Sequence, residues 1–233
     1  CFDMAFEAVR IALQHMTPVI LLSDGYIANG AEPWKFPTAS SLPAIEVKFK
    51  KGLDKGEDKF LPYKRNEKGA RPWAIPGTPG LEHRIGGLEK QADTGNVSYD
   101  SENHEFMVKA REAKVEKIAD YIPLQTIDSG PEKGKVLILG WGSTYGTIKS
   151  AALHLQSQGK QVSHAHIKYV RPFPKNLGDI LKNFETVIIP EINNGQLIKI
   201  IRDKYFVDAK GYNKIMGVPI TKQELVSAVE KYL

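Results

Sequence analysis

The stretch VLILGWGSTYG, residues 136–146, carries the reading of the fold. Four apolar residues, Val136 to Leu139, are long enough for a strand covered on both faces and too short for a helix. Glycines at 140, 142 and 146 then punctuate a turn, and helical spacing takes over from Tyr145 to Gln158. Downstream the alternation continues, with a strand at 162–170, a helix at 177–183, a strand at 186–189 and a helix at 196–205. YFVDAKGYN and ITKQELVSAVEKYL supply a last strand and a capped helix. Strands alternating with helices predict a parallel-sheet α/β domain of about 100 residues.

Upstream, the pattern changes twice. Residues 1–16 form an amphipathic helix with Phe2, Phe6, Val9, Leu13 and Met16 as its apolar stripe, and Val19 to Leu22 are expected as a buried strand closed by a turn at Ser23-Asp24-Gly25. A chain that opens inside a helix is expected to be a piece of a longer polypeptide. Between Asn29 and Tyr99 periodicity fails among recurring prolines and glycines, the composition of a long functional or interface loop. At Asp100-Ser101 a cap precedes a helix of about five turns, with Val108, Val115, Ala119 and Ile122 expected on one face.

Composition narrows the class. A chain that is 42% hydrophobic and 25% charged is ordinary for a globular protein, and no apolar run approaches a membrane span. Net charge is +5, but the 32 basic residues interleave with 27 acidic ones, so no basic stripe for nucleic acid emerges. The single cysteine, Cys1, excludes an internal disulfide and fits a reducing compartment such as the cytoplasm.

Several groups are candidates for chemistry. Gly140, Gly142 and Gly146 are spaced one residue too long for the dinucleotide fingerprint, and the next strand ends on Arg171 where a ribose-binding carboxylate belongs. Two readings of Trp141, Gly142, Ser143 and Thr144 stay open: a tight strand-to-helix turn, or a helix start whose amides meet an anion. VIIPEINNGQL repeats the design, and if the two strands flank a switch point, Glu191, Asn193, Asn194 and Gly195 share a crevice with the first loop. That crevice is expected to bind an anion or to face a partner subunit. Glu82 and His83, within GLEHR, are candidates for proton transfer. His164 and His166 share a strand face without an evident third ligand, so no metal site is assigned.

AFEAVRIALQHMTPVILLSDGYIANGAEPW, GLEH, NVSYDSENHEFMVKAREAKV, LGWGSTYG, VRPFPKNL and PEINNGQL together resemble the alpha subunit of 2-oxoacid:ferredoxin oxidoreductases, closest to the 2-oxoglutarate type. The resemblance implies that residues 1–36 end a thiamine pyrimidine-binding domain, that 37–123 are an irregular insertion with a connector helix, and that 124–233 resemble the transketolase C-terminal domain. It implies thiamine diphosphate with Mg, shared with a beta subunit, and an iron–sulfur cluster in a partner part. Coenzyme A, a 2-oxoacid and ferredoxin are the implied reactants, with a branched-chain 2-oxoacid enzyme or a subunit-interface domain as alternatives. The family's Tyr-Pro-Ile-Thr-Pro segment and thiamine-contacting glutamate have no counterpart here, so no catalytic residue is carried over and the chain alone is expected to be inactive. Arg84, where many relatives carry acids after the His, is the implied attractor of an acidic substrate.

Overall fold

In the computed structural model, which describes residues 1–233, the elements run α1 (Phe2–His15), α2 (Gly25–Asn29), β1 (Phe49–Lys50), β2 (Trp73–Ala74), α3 (Ser101–Lys117), β3 (Gly134–Trp141), α4 (Tyr145–Ser157), β4 (Val162–Ile167), α5 (Leu177–Lys182), β5 (Phe184–Glu191), α6 (Gln196–Tyr205), β6 (Lys210–Asn213) and α7 (Lys222–Glu230). They divide into two units. One comprises residues 1–21 and 33–121, the other residues 22–32 and 122–233.

The second unit is built on one four-stranded sheet of order β4-β3-β5-β6, with every pairing parallel. Successive residues of β3 point to opposite faces. Leu137 and Leu139 pack with Leu177 and Leu181 of α5 and Leu197 and Ile201 of α6. Val136 and Ile138 pack with Ile148 and Leu155 of α4 and Leu225 and Val229 of α7. Two helices therefore cover each face, which is why β3 is a continuous apolar run and not an alternating one. The expected parallel α/β domain is present. β4 stops at Ile167, short of the expected Val170, because its ladder partner β3 ends opposite it at Trp141. β5 runs longer than expected at both ends and carries Glu191 inside the strand. Helix α7 starts with a reciprocal box in which the Thr221 hydroxyl accepts from the Glu224 amide and the Glu224 carboxylate accepts from the Thr221 amide.

The first unit holds the irregular stretch, whose only strands are the two-residue parallel pair β1 and β2. Side chains of the helices tie its loops down. Asn103 of α3 accepts from the Ala92 amide at 2.8 Å and donates to the Lys90 carbonyl at 3.0 Å. Trp73 donates its indole N–H to the Leu13 carbonyl at 2.8 Å, fixing the irregular segment to the end of α1. Such bonds satisfy backbone groups that have no ladder to join.

Three local expectations are corrected here. Val19 to Leu22 forms no strand and joins no sheet, and Ile20 and Leu22 are 82% and 61% exposed. No strand of the fold lies beside it to supply a ladder. On α1 the buried residues are Ile11 and His15, while Phe2 and Val9 of the anticipated stripe are exposed. On α3 the buried side runs through Met107 and on to Ile118, and Val108 is exposed. The helix is rotated by about one residue from the face its sparse apolar residues suggested, because the loop contacts of Asn103 and Lys114 share the Met107 side.

Candidate functional site

Strands β3 and β5 are sheet neighbours, while the chain leaves β3 toward β4 on one side and reaches β5 on the other. That reversal makes their carboxyl ends the switch point, where open α/β sheets place their crevice. The loops there are 142–144 and 192–195, so the topology brings together the two polar loops singled out in the sequence.

Both loops are filled from within. Glu191, fully buried, accepts from the Leu197 amide at 2.9 Å with Oε1 and from the Ile198 amide at 3.2 Å with Oε2. Asn193 Oδ1 accepts from the Gln196 amide at 2.9 Å, and Gly195 takes the left-handed conformation that turns the chain into α6. The first free amides of α6 thus hold the chain's own side chains. Asn194 is exposed, whereas the Asn193 carbonyl accepts from the Asn213 side chain at 2.9 Å.

At the other loop the buried Thr144 hydroxyl donates to the Trp141 carbonyl at 2.7 Å and accepts from the Trp141 amide at 3.3 Å. Gly142 has φ +59°, a conformation that suits glycine. The Ser143 amide donates to Asp24 Oδ2 at 3.1 Å. Asp24 Oδ1 meanwhile accepts from the Tyr26 and Ile27 amides, both at 3.0 Å, and so caps α2. Burial pushes the Asp24 carboxyl upward, but hydrogen bonds from the Ser143 side chain and from the Ile27, Ser143 and Tyr26 amides outweigh it and hold the group below the usual carboxylate range. Three amides at this end of the sheet, those of Ser143, Leu197 and Ile198, are thus bonded to two carboxylates of the same chain.

His164 and His166 lie on the α4 face of β4, paired in register with Ile138 and Gly140. Their ring centroids are 6.0 Å apart, and Tyr145 packs 5.4 and 5.0 Å from them. Both ring nitrogens of His164, and Nδ1 of His166, are buried without a hydrogen-bond partner. Burial lowers both groups to about 4, helped by Lys149 at His164 and by the His164 charge at His166, so both rings are neutral at pH 7. Gly140 makes room for this arrangement. A Cβ there would lie 2.4 Å from Ile148 Cδ1 and 3.0 Å from His166 Nδ1.

In the other unit, GLEHR is a turn whose polar atoms face its own backbone. Glu82 Oε1 accepts from the Gly80 amide at 3.2 Å, and His83 Nδ1 lies 2.8 Å from the Leu81 carbonyl. The His83 ring packs edge-on to Phe60, with centroids 5.2 Å apart. One polar atom of each side chain, Glu82 Oε1 and His83 Nδ1, is thus engaged by backbone of the turn. Arg84 is exposed.

The family models for "Pyruvate flavodoxin/ferredoxin oxidoreductase, thiamine diP-binding" and "Pyruvate:ferredoxin oxidoreductase core domain II" match residues 1–102 and 134–225. The 2-oxoglutarate oxidoreductase subunit KorA of Mycobacterium tuberculosis is 47% identical over 97% of the chain. The chain belongs to the 2-oxoacid:ferredoxin oxidoreductase family. Within that family it is also 26% identical, over 98% of its length, to the 2-oxoglutarate synthase subunit KorA of Archaeoglobus fulgidus. The 2-oxoglutarate:ferredoxin oxidoreductase of Magnetococcus marinus, solved with 2-oxoglutarate, coenzyme A and succinyl-CoA bound, superposes on all of it with a TM-score of 0.87 at 28% identity. The chain spans 34% of the M. tuberculosis relative, 57% of the A. fulgidus one and 40% of the M. marinus chain.

Proposed function

We propose that this chain forms part of the alpha subunit of a thiamine diphosphate-dependent 2-oxoglutarate:ferredoxin oxidoreductase. The reaction is oxidative decarboxylation of 2-oxoglutarate with coenzyme A to succinyl-CoA and carbon dioxide, with two electrons passing to ferredoxin. The observation that carries this reading is the 47% identity to the M. tuberculosis subunit across nearly the whole chain. The ligands named for the M. marinus enzyme support it from the structural side and favour 2-oxoglutarate over a branched-chain substrate.

The cofactor is read as shared with another subunit. The chain's own residues offer no group of three or more His, Cys, Asp or Glu side chains suited to a metal ion, and the switch-point amides are taken by Asp24 and Glu191. Carbanion chemistry is therefore assigned to no residue of this chain. The reading places thiamine diphosphate and its Mg between this polypeptide and a beta subunit, the iron–sulfur cluster in a partner part, and the complex in the cytoplasm. The exposed apolar run Val19 to Leu22 is surface of the kind such an assembly covers. Arg84 draws the acidic substrate in, and the crevice at Trp141–Thr144 and Glu191–Gly195 faces the partner.

The test is electron transfer from 2-oxoglutarate to ferredoxin or methyl viologen by the complex purified with this chain in it. Reduction that needs both 2-oxoglutarate and coenzyme A is expected, with slower turnover on 2-oxoisovalerate. Failure with every 2-oxoacid would sink the proposal. In the same complex Arg84→Ala is expected to raise KM for 2-oxoglutarate with little change in kcat, and an unchanged KM removes Arg84 from the reading.

A further inference from the structure

A cavity of about 420 Å³ lies within the first unit, between α3 and the loops at residues 63–71 and 87–90. Five cationic side chains, Arg65, Arg71, Lys90, Arg111 and Lys114, are among its lining residues, against one carboxylate, Glu89. Glu89 is already engaged by Arg111 at 3.2 Å and by His104 at 2.7 Å. Lys90, almost wholly buried, donates to the carbonyls of Gly86 at 3.0 Å and Leu88 at 2.6 Å, which draws the loop after GLEHR over the cavity.

The other cations bond only to neutral acceptors. Arg65 donates to the Tyr63 carbonyl at 3.2 Å and meets the Met107 sulfur at 3.3 Å, while Lys114 donates to the Met16 carbonyl at 2.8 Å. Arg71 lies over the Tyr63 ring, 4.3 Å from its centroid. Burial and then the neighbouring Arg71 lower the pKa of both Arg65 and Lys114, the signature of like charges gathered out of water. The gathering is built into the backbone. Gly69, at φ +73°, lets the loop pack closely on α3, since a Cβ there would lie 3.2 Å from Lys114 Cβ, and Asn66 Oδ1 holds that loop by accepting from the Lys68 and Ala70 amides at 3.0 Å each.

Asp93 offsets part of the charge at Arg65 and Glu89 that at Arg111, and the cations left over repel one another unless an anion joins them. The rigid forks of Arg65 and Arg71 suit a planar or tetrahedral oxyanion, and the charge excess favours a diphosphate over a dicarboxylate. We propose that this cavity is a binding site for a small phosphate polyanion, either free or as the diphosphate end of a larger ligand. The inference stands on the cavity alone and does not depend on the reaction proposed above.

Isothermal titration of the full chain with inorganic diphosphate, at constant ionic strength, tests it. Saturable binding is expected, weakened at least about tenfold in Arg65→Gln and again in Arg71→Gln. Thermal unfolding of the unaltered protein gives a second readout, with the midpoint rising in diphosphate and not in sodium chloride of equal ionic strength. Displacement of diphosphate by coenzyme A but not by pantetheine assigns the seat to a nucleotide-type ligand, and binding that coenzyme A leaves undisturbed assigns it to a free phosphate anion. Absence of saturable binding and of any midpoint shift overturns the proposal. So does binding that both variants retain at full strength, or a site that takes 2-oxoglutarate and not diphosphate.

Discussion

Asp24 and Ser143 stand 119 residues apart in the chain and 3.1 Å apart in the fold, with the Ser143 amide donating to Asp24 Oδ2. One carboxylate thereby closes two structures at once. It caps α2 through one oxygen and fills the amide at the start of the β3–α4 connection through the other. Segment 22–32 is held to the α/β unit by this bond.

Asp24→Ala is expected to destabilise the α/β unit by about 1 kcal/mol, the size of a lost helix cap on a partly exposed group. The carboxyl is held below its ordinary value in the fold, so its contribution is present above the unfolded pKa and disappears as pH falls through the folded one. Urea unfolding at pH 7 and near pH 3 checks this: the gap between variant and parent must narrow in acid.

Glu191→Ala is expected to cost about 2 kcal/mol, because two buried amides of α6 lose a charged acceptor. Glu191→Gln keeps one acceptor oxygen and should recover part of the loss. Equal midpoints for the two variants in chemical unfolding would show that the carboxylate does not cap the helix as described.

His164 and His166 make the fold sensitive to mild acid. Their folded values of about 4 lie below the ordinary 6.5, so between those limits the unfolded chain binds more protons and stability falls as pH falls. His15, also held at about 4 by burial and then by Lys68, Arg10 and Lys114, adds the same sign in the other unit. Replacing His164 and His166 together by Asn is expected to flatten the stability slope between pH 6.5 and 4. A slope identical to that of the parent would count against the buried neutral pair.

Gly140→Ala introduces a Cβ 2.4 Å from Ile148 Cδ1, where β3 and α4 are already closed. Overpacking of that kind costs about 1–3 kcal/mol. A lowered thermal midpoint is expected, relieved in part by Ile148→Val, which removes the clashing atom.

Sequence alone was enough for the α/β unit, since two-sided strands and amphipathic helices repeat at short range and each announces itself locally. The apolar run Val136–Leu139, the box at Thr221 and Glu224, and the two polar loops after β3 and β5 were all legible in that way. The family was legible too, from several segments in order. The faces of α1 and α3 were not, because few apolar residues mark them and tertiary loop contacts chose which side is buried. Val19 to Leu22 has the composition of a strand, but a strand exists only where another lies beside it to complete the ladder. Asp24 read as a turn residue, and nothing local distinguishes a turn aspartate from one that reaches Ser143. Tertiary structure also decided what fills the switch point: hydrogen bonding and burial place Asp24 and Glu191 on amides that the sequence left open to an anion. The cations of 65, 71, 90, 111 and 114 are scattered along the chain, and only folding concentrates their charge around one cavity.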